Sequence, residues 1–398
     1  MVGLSKLFAI GDMHGCVDSY AAILSALGIV DADGRWCGGT SRVVQTGDLI
    51  DRGPKSLACL RFTMQLSQQA EQVGGRVVFV LGNHEVFAMS AARGNDWAFL
   101  NWFPAHNGGS SVLIEWMSED TSRVTPECLS EMQRLYAQFF SLFSERSVIG
   151  GWLSNRPTCA VLDDTLFVHA GISRDTEAAA HLLNEIARQA DYTKYLIEPS
   201  HPVLGRRGPY WVRDLAREEV VRALKANGVK RMVTGHNPHR WVTSAYDDML
   251  LVIDTAVVKG GPALGVEISA DGLEVWDTKR SRHAVSEDRY EDNRSRSQAV
   301  TPAKKARFAR GDTVLFYASP VSGGMACLAV HDAWSVGEDT FYDGAMMAYM
   351  PSRDTGRIRY SSQETWTYPG AFIDRVGVPV ARTLDYLPPE MKNAIESM

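Results

Sequence analysis

Short apolar runs that end on polar residues recur along the chain. LFAI leads into GDMHG (11–15), RVVQT into GDLIDRG (47–53), and RVVFVL into GNHE (82–85). Later runs end on VHAG (168–171) and GHNP (235–238). In a parallel sheet the carboxyl ends of the strands share one edge, where binding sites form. We therefore expect the five motifs to converge on one site.

The first third of the chain alternates strand and helix patterns. Residues 6–12, 41–48 and 76 onward read as strands, each with a short apolar run. Between them, Val17–Leu27 and Pro54–Ala70 have apolar positions at helical spacing, with a proline near the start of the second helix. This β-α-β-α-β order predicts a largely parallel, right-handed sheet.

The pattern changes between residues 91 and 156, which are helical and rich in aromatic residues. We interpret this stretch as an inserted cap beside the site. Most of its aromatic side chains are expected in the core. An alternative role for Trp97, Trp102 and Trp116 is to line a pocket that stacks a base or receives a phenol ring.

The remainder of the chain predicts further strands and then a second domain. The segments that read as strands are 159–171, 230–238, 249–256 and the hairpin 265–278. We place a catalytic domain at 1–278, a basic polar linker at 279–306 and a small β-rich domain at 307–398. The stretch RFARGDTVLFY is similar to the first strand of SH3-like barrels.

Composition narrows the classes of protein. The net charge of −6 argues against nucleic-acid binding by the whole surface, although residues 279–310 carry ten Lys or Arg against four Asp or Glu. The six cysteines form no CxxC pair, which favours reduced thiols and a cytoplasmic location. No long apolar stretch predicts a secretory signal or a membrane span.

The polar endings offer ligands for metal ions. The candidate ligands are Asp12, His14, Asp48, Asn83, His169 and His236. Oxygen and imidazole donors without sulfur suit Mn²⁺, with Fe or Zn²⁺ as alternatives. Six ligands exceed what one ion with an open position uses, so they predict two ions that share a bridging carboxylate. Glycines in the same motifs would let the backbone turn sharply and approach an ion or phosphate.

The order GDMHG, GDLIDRG, GNHE, HAG and GH resembles the phosphoprotein-phosphatase branch of the calcineurin-like metallophosphoesterases. Within that branch, GNHEVFAM, GGWLSNRPTCAVLDDTLFVHAGI and GPYWVRD are most similar to the bacterial Shewanella-like phosphatases. The resemblance covers roughly residues 6–278. It implies an α/β fold of the metallophosphoesterase type, an αββα sandwich with a helical insertion.

The resemblance also implies a role for each motif residue. Asp12 and His14 would hold the first ion, Asp48 would bridge both, and Asn83, His169 and His236 would hold the second. His84 would be the general acid, oriented by Asp51. Arg52 and Arg213 would grip the phosphate. Glu85 is expected to be structural, bonding the surrounding loop.

General chemical arguments predict the same roles. Two ions clamp a phosphate and generate a bridging hydroxide near neutral pH, which attacks phosphorus in line. The leaving oxygen needs a proton, and an imidazole paired with a carboxylate supplies it. A planar guanidinium matches two phosphate oxygens at once.

Three functions remain open from the sequence. The first is a phosphomonoesterase that acts on phosphoproteins, at tyrosine or serine/threonine, or on small phosphoesters. The second is a hydrolase of dinucleoside polyphosphates or nucleotide 5′ ends. The third concerns residues 307–398, which could bind a protein partner. Deleting residues 279–398 would distinguish a partner module from a structural one.

Overall fold

The computed structural model describes most of the chain. The described residues are 5–103, 107–120, 122–123, 125–127, 129–270, 272–286, 301–302, 307–308, 312–319, 324–336, 339–349, 358–369, 373 and 378–379. The Trp97 side chain, considered above, lies outside the described part of the chain.

Two sheets form the centre of the fold. Their strands are β1 Leu7–Ile10, β2 Arg42–Gln45, β3 Arg76–Phe79, β4 Cys159–Leu162, β5 Thr165–Val168, β6 Arg231–Thr234, β7 Thr243–Ala245, β8 Leu250–Val252, β9 Leu264–Ser269, β10 Gly272–Asp277 and β11 Arg282–His283. The first sheet has the order β11-β10-β9-β1-β2-β3, and the second has β4-β5-β6-β8-β7. Strands β1, β2 and β3 are parallel, as are β5, β6 and β8. The largely parallel sheet inferred from strand order is therefore two mixed sheets, with antiparallel strands at their flanks.

Alternation along each strand explains why both sheets are buried. In β1, Leu7 and Ala9 belong to the core between the sheets, whereas Phe8 and Ile10 face the helices. Val43 and Val44 of β2 divide in the same way. Since successive side chains point to opposite faces, two covered faces require a continuous apolar run.

Helices cover the outer faces of the two sheets and form the cap. They are α1 Val17–Ala26, α2 Ser56–Gln72, α3 Asn83–Ala92, α4 Asp96–Trp102, α5 Ser110–Ser118, α6 Leu129–Ser141, α7 Val148–Ser154, α8 Ala180–Gln189 and α9 Arg217–Asn227. Helices α1 and α2 lie on the first sheet, and α8 and α9 lie on the second. The predicted αββα sandwich is confirmed, and the predicted bounds of α1 and α2 are correct within about two residues.

The predicted helical insertion corresponds to α4–α7. Its core is aromatic, and its buried rings include Phe99, Trp102, Phe103, Trp116, Tyr136, Phe139, Phe140 and Phe143. Trp102 and Trp116 are 0% and 4% exposed, so a base-stacking role for these two side chains is wrong. The expectation that most aromatic residues of the cap are core is confirmed.

A third, antiparallel sheet follows. Its strands are β12 Thr301–Pro302, β13 Thr313–Ser319, β14 Gly324–Val336, β15 Asp339–Tyr349, β16 Ile358–Pro369 and β17 Val378–Pro379. The main order is β16-β15-β14-β13-β17, and β12 pairs with β14. Strand β13 lies against α4 and α6 of the cap, and Val314 and Leu328 are buried. The β-rich character is confirmed, while the SH3-like assignment and the domain boundaries stay predictions.

Two further expectations concern cysteines and membranes. Cys16, Cys37, Cys59 and Cys159 are free thiols, as predicted for the described cysteines. No helix in the described part of the chain is both long and apolar enough to cross a bilayer.

Candidate metal centre and active site

The five motifs meet between the two sheets, at the carboxyl ends of β1, β2 and β3 on one side and of β5 and β6 on the other. All six predicted ligands are buried there: Asp12, His14, Asp48, Asn83, His169 and His236. We expected the site at the edge of one sheet, and it lies instead between the edges of two sheets. We call this place the seam.

Asp48 lies at the centre of the site. Its Oδ2 atom is 3.6 Å from His14 Nε2, 3.8 Å from His84 Nε2 and 3.4 Å from His169 Nε2. Two groups with metal-ligand spacing share this carboxylate, one with His14 and His84 and the other with His169 and His236. The Asp48 carboxylate therefore belongs to both groups.

Backbone carbonyls fix two of the imidazole rings. His14 Nδ1 is 2.8 Å from the Ile50 carbonyl oxygen, and His169 Nδ1 is 2.8 Å from that of Thr46. A carbonyl only accepts, so each Nδ1–H donates and each Nε2 is directed toward Asp48. Metal-binding histidines are commonly oriented in this way.

The second half of the centre also fits a cation. His169 Nε2 lies 2.9 Å from Asn83 Oδ1 and 3.2 Å from His236 Nδ1. The buried His236 Nε2 has no hydrogen-bond partner in the described structure. The backbone N–H of His236 donates to both Asp12 carboxylate oxygens, at 3.2 and 3.1 Å. Carboxylate, amide and imidazole donors of this kind suit Mn²⁺, Fe or Zn²⁺.

The electrostatics favour a bound cation as well. Burial raises the pKa of Asp12, and the carboxylates of Asp254 and Asp48 raise it further. Burial also raises the pKa of Asp254. Burial lowers the pKa of His14 to about 3, with the Arg52 guanidinium acting in the same direction. Buried carboxylates beside imidazole nitrogens gain most from a divalent ion.

Asp254, a buried carboxylate that acts on the pKa of Asp12, was not among the site residues predicted from the sequence. It follows β8 in the run MLLVIDTA, which ends on a polar residue as the five motifs do. That signal could have found it.

The predicted acid and its partner are in contact. His84 Nδ1 lies 2.5 Å from Asp51 Oδ2, and both side chains are buried. Burial lowers the pKa of His84 well below its usual value, opposed by the Asp48 carboxylate. This contact leaves His84 Nε2 directed toward the metal centre, 3.8 Å from Asp48 Oδ2.

The two predicted phosphate-binding arginines flank the centre. Arg52 Nη1 lies 2.6 Å from His14 Nε2, and Arg52 Nη2 lies 3.1 Å from His84 Nε2. Arg213 donates to the His236 carbonyl oxygen at 3.2 Å and to Asn237 Oδ1 at 3.1 Å. Each guanidinium is therefore beside one half of the candidate metal centre.

Glu85 braces the loop that carries Asp48. Its carboxylate accepts backbone N–H groups from Asp48 at 3.0 Å, Leu49 at 2.9 Å and Gly82 at 3.0 Å. The structural role expected for Glu85 is confirmed. A Cβ at Gly82 would collide with Asp48 Oδ1, so this glycine makes room for the Asp48 carboxylate.

Backbone strain is concentrated at the site. His14, Asp48, Asp51, Arg52 and His236 all have positive φ, between 41° and 75°. Non-glycine residues seldom adopt this conformation, and such residues cluster at functional sites.

Comparison with known proteins agrees with this geometry. The family profile described as calcineurin-like phosphoesterase matches residues 5–240. Shewanella-like protein phosphatase 2 of Arabidopsis thaliana is 27% identical over 324 residues, covering 72% of this chain and 79% of that protein. A symmetrical bis(5'-nucleosyl)-tetraphosphatase of Glaesserella parasuis is 25% identical, covering 68% of this chain and 76% of that protein.

A solved structure shares the fold. The cold-active protein-tyrosine phosphatase of a psychrophilic Shewanella species superposes with a TM-score of 0.54 at 23% identity, covering 71% of this chain and 81% of that one. With the family match spanning more than half of the chain, the conclusion is direct. The chain belongs to the calcineurin-like phosphoesterase family and is a hydrolase.

Proposed function

We propose that this hydrolase is a dinuclear-metal-dependent phosphomonoesterase whose substrates are phosphoproteins, at tyrosine or at serine and threonine. The observation that carries the proposal is the position of Asp48, with three imidazole Nε2 atoms within 3.8 Å of its Oδ2 atom and the Arg52 guanidinium against two of those rings. This arrangement suits a phosphoryl group, because a guanidinium fork and paired cations would complement its oxygens.

The chain supplies the metal ligands. Two divalent cations, for which we propose Mn²⁺ with Fe or Zn²⁺ as alternatives, would bind phosphoryl oxygens and provide a water of near-neutral pKa. The residues that would hold them are Asp12, His14, Asp48, Asn83, His169 and His236.

The remaining roles belong to the chain's own side chains. Arg52 and Arg213 would hold the phosphoryl oxygens. A water oxygen that has lost one proton to solvent bonds to phosphorus as the ester P–O bond breaks, and the proton on His84 Nε2 passes to the departing oxygen. His84 then takes up a proton from solvent. Asp51 accepts the Nδ1–H of His84 and favours its protonated form. The products are inorganic phosphate and the free hydroxyl compound.

One comparison favours phosphoproteins over nucleotides. The relative named as a protein phosphatase matches more of this chain than the tetraphosphatase does. A cleft of about 610 Å³, lined in part by Arg213, Asn237 and Tyr246, provides room for a substrate beside the site. We further propose a cytoplasmic location, with which the free cysteines agree.

A substrate panel tests the proposal. Mn²⁺-loaded protein would be assayed on a phosphotyrosine peptide, a phosphothreonine peptide, p-nitrophenyl phosphate and diadenosine tetraphosphate. Higher kcat/KM on either phosphopeptide than on the dinucleotide supports it. The reverse preference would move the function to nucleotide hydrolysis with the same metal centre.

A further inference from the structure

One side chain from the cap reaches the predicted general acid. The indole Nε1 of Trp102 donates to Asp51 Oδ2 at 2.7 Å, and His84 Nδ1 lies 2.5 Å from the same oxygen. Trp102 and Asp51 are both 0% exposed. The other carboxylate oxygen, Asp51 Oδ1, has no hydrogen-bond partner in the described structure. Trp102 thus holds the same carboxylate oxygen that His84 contacts.

The indole is itself held in place. Phe139 and Phe143 lie against it, with ring centroids 6.0 and 5.6 Å away. A Cβ at Gly109 would collide with the indole, so the chain approaches it as closely as a glycine allows. Close packing of this kind leaves Trp102 one orientation.

The cap makes a second contact with the same loop. The backbone N–H of Arg52 donates to the Gly108 carbonyl oxygen at 3.1 Å. Asp51 and Arg52 both have positive φ, at 75° and 66°. A strained loop keeps its conformation only where its surroundings enforce it, and here the cap supplies part of that enforcement.

We propose that Trp102 is a positioning residue for the general acid, acting through Asp51 to hold the His84 ring in place. The inference rests on the proposed function, in which His84 protonates the leaving oxygen. It makes α4 of the cap part of the catalytic machinery.

Leaving-group dependence tests this role. A general acid matters more for phenyl phosphate, whose leaving group resembles the tyrosine phenol, than for p-nitrophenyl phosphate, whose leaving group departs readily without a proton. We would measure kcat/KM on both substrates for Trp102→Phe, which removes the N–H and keeps an aromatic ring. Trp116→Phe is the matched control, since Trp116 is buried in the same cap.

Trp102→Phe is expected to lower kcat/KM about tenfold more on phenyl phosphate than on p-nitrophenyl phosphate. Trp116→Phe should change both substrates by the same factor. Equal losses on the two substrates in Trp102→Phe, or no loss, would overturn the inference. If that variant does not fold, 3-benzothienylalanine at position 102 replaces the N–H by sulfur at nearly constant shape and is judged by the same comparison.

His84→Ala separates this inference from the proposed function. A selective loss on phenyl phosphate in His84→Ala, without one at position 102, rejects the role of Trp102 alone. A His84→Ala enzyme with no selective loss rejects His84 as the acid, and the inference with it.

Discussion

His169 Nε2 lies 3.2 Å from His236 Nδ1, at the bottom of the seam between the two sheets. His169 donates its Nδ1–H to the Thr46 carbonyl, which leaves its Nε2 directed toward His236. The Oδ2 atom of Asp48 is 3.4 Å from the same nitrogen. Imidazole nitrogens and a carboxylate gathered this closely would be stabilised by a shared cation.

Metal binding should therefore stabilise the fold. We expect saturating Mn²⁺ to raise the thermal midpoint of metal-free protein by roughly 5 °C or more, since a ligand at about 100 times its Kd adds about 2.7 kcal/mol. Differential scanning fluorimetry with and without Mn²⁺ measures this. His236→Ala should reduce the shift, whereas His283→Ala, at an exposed position, should retain it. An undiminished shift in His236→Ala would remove His236 from the site.

Glu85→Gln should destabilise the Asp48 loop. The amide would place an NH₂ group among backbone N–H donors, leaving buried donors without an acceptor. We expect a loss of about 3 kcal/mol in the free energy of unfolding, measured by urea titration. Glu145→Gln is the control, because the Glu145 side chain is 65% exposed. Comparable losses in the two variants would contradict the account of Glu85.

Arg52→Ala should impair turnover and spare the metal site. Loss of a guanidinium that holds the transferring phosphoryl group is expected to lower kcat/KM about 100-fold. Arg52→Lys should recover only part, because an ammonium cannot match two oxygens at once. Arg61→Ala, at a half-exposed surface ion pair, serves as the control for a lost arginine. Wild-type turnover in Arg52→Ala would exclude Arg52 from phosphate binding.

Truncation after residue 286 tests the C-terminal region. The cut keeps β11 and the bond from Ser286 N–H to the Val242 carbonyl oxygen, and removes β13, which lies against α4 and α6. Since α4 carries Trp102, we expect a lower thermal midpoint and weaker turnover on phenyl phosphate. An unchanged midpoint and turnover would favour the prediction that residues 307–398 are a partner-binding module.

Much of the site could be predicted because its residues follow strands directly. Asp12 and His14 come after β1 and Asp48 after β2, so strand order alone brought them together. The structural role of Glu85 was also foreseen. In contrast, the helix that begins inside the GNHE motif was not predicted, because α3 begins at Asn83, within the motif itself and only a short connection after β3.

Contacts from distant segments could not be predicted. Trp102 is 51 residues from Asp51 along the chain, and nothing in its neighbourhood distinguishes it from the other cap aromatics. The division into two sheets could not be predicted from strand order either. The β4–β5 hairpin has the same sequence pattern whether it extends the first sheet or begins a second one. Both the Trp102–Asp51 contact and the division into two sheets depend on packing between segments that are far apart in the sequence.

Anomalous diffraction from crystals grown with Mn²⁺ tests the central claim most directly. We predict two manganese peaks, one on each side of the Asp48 carboxylate, with His14 near one peak and His169 and His236 near the other. A single peak, or peaks that do not share Asp48, would contradict a dinuclear centre at this seam.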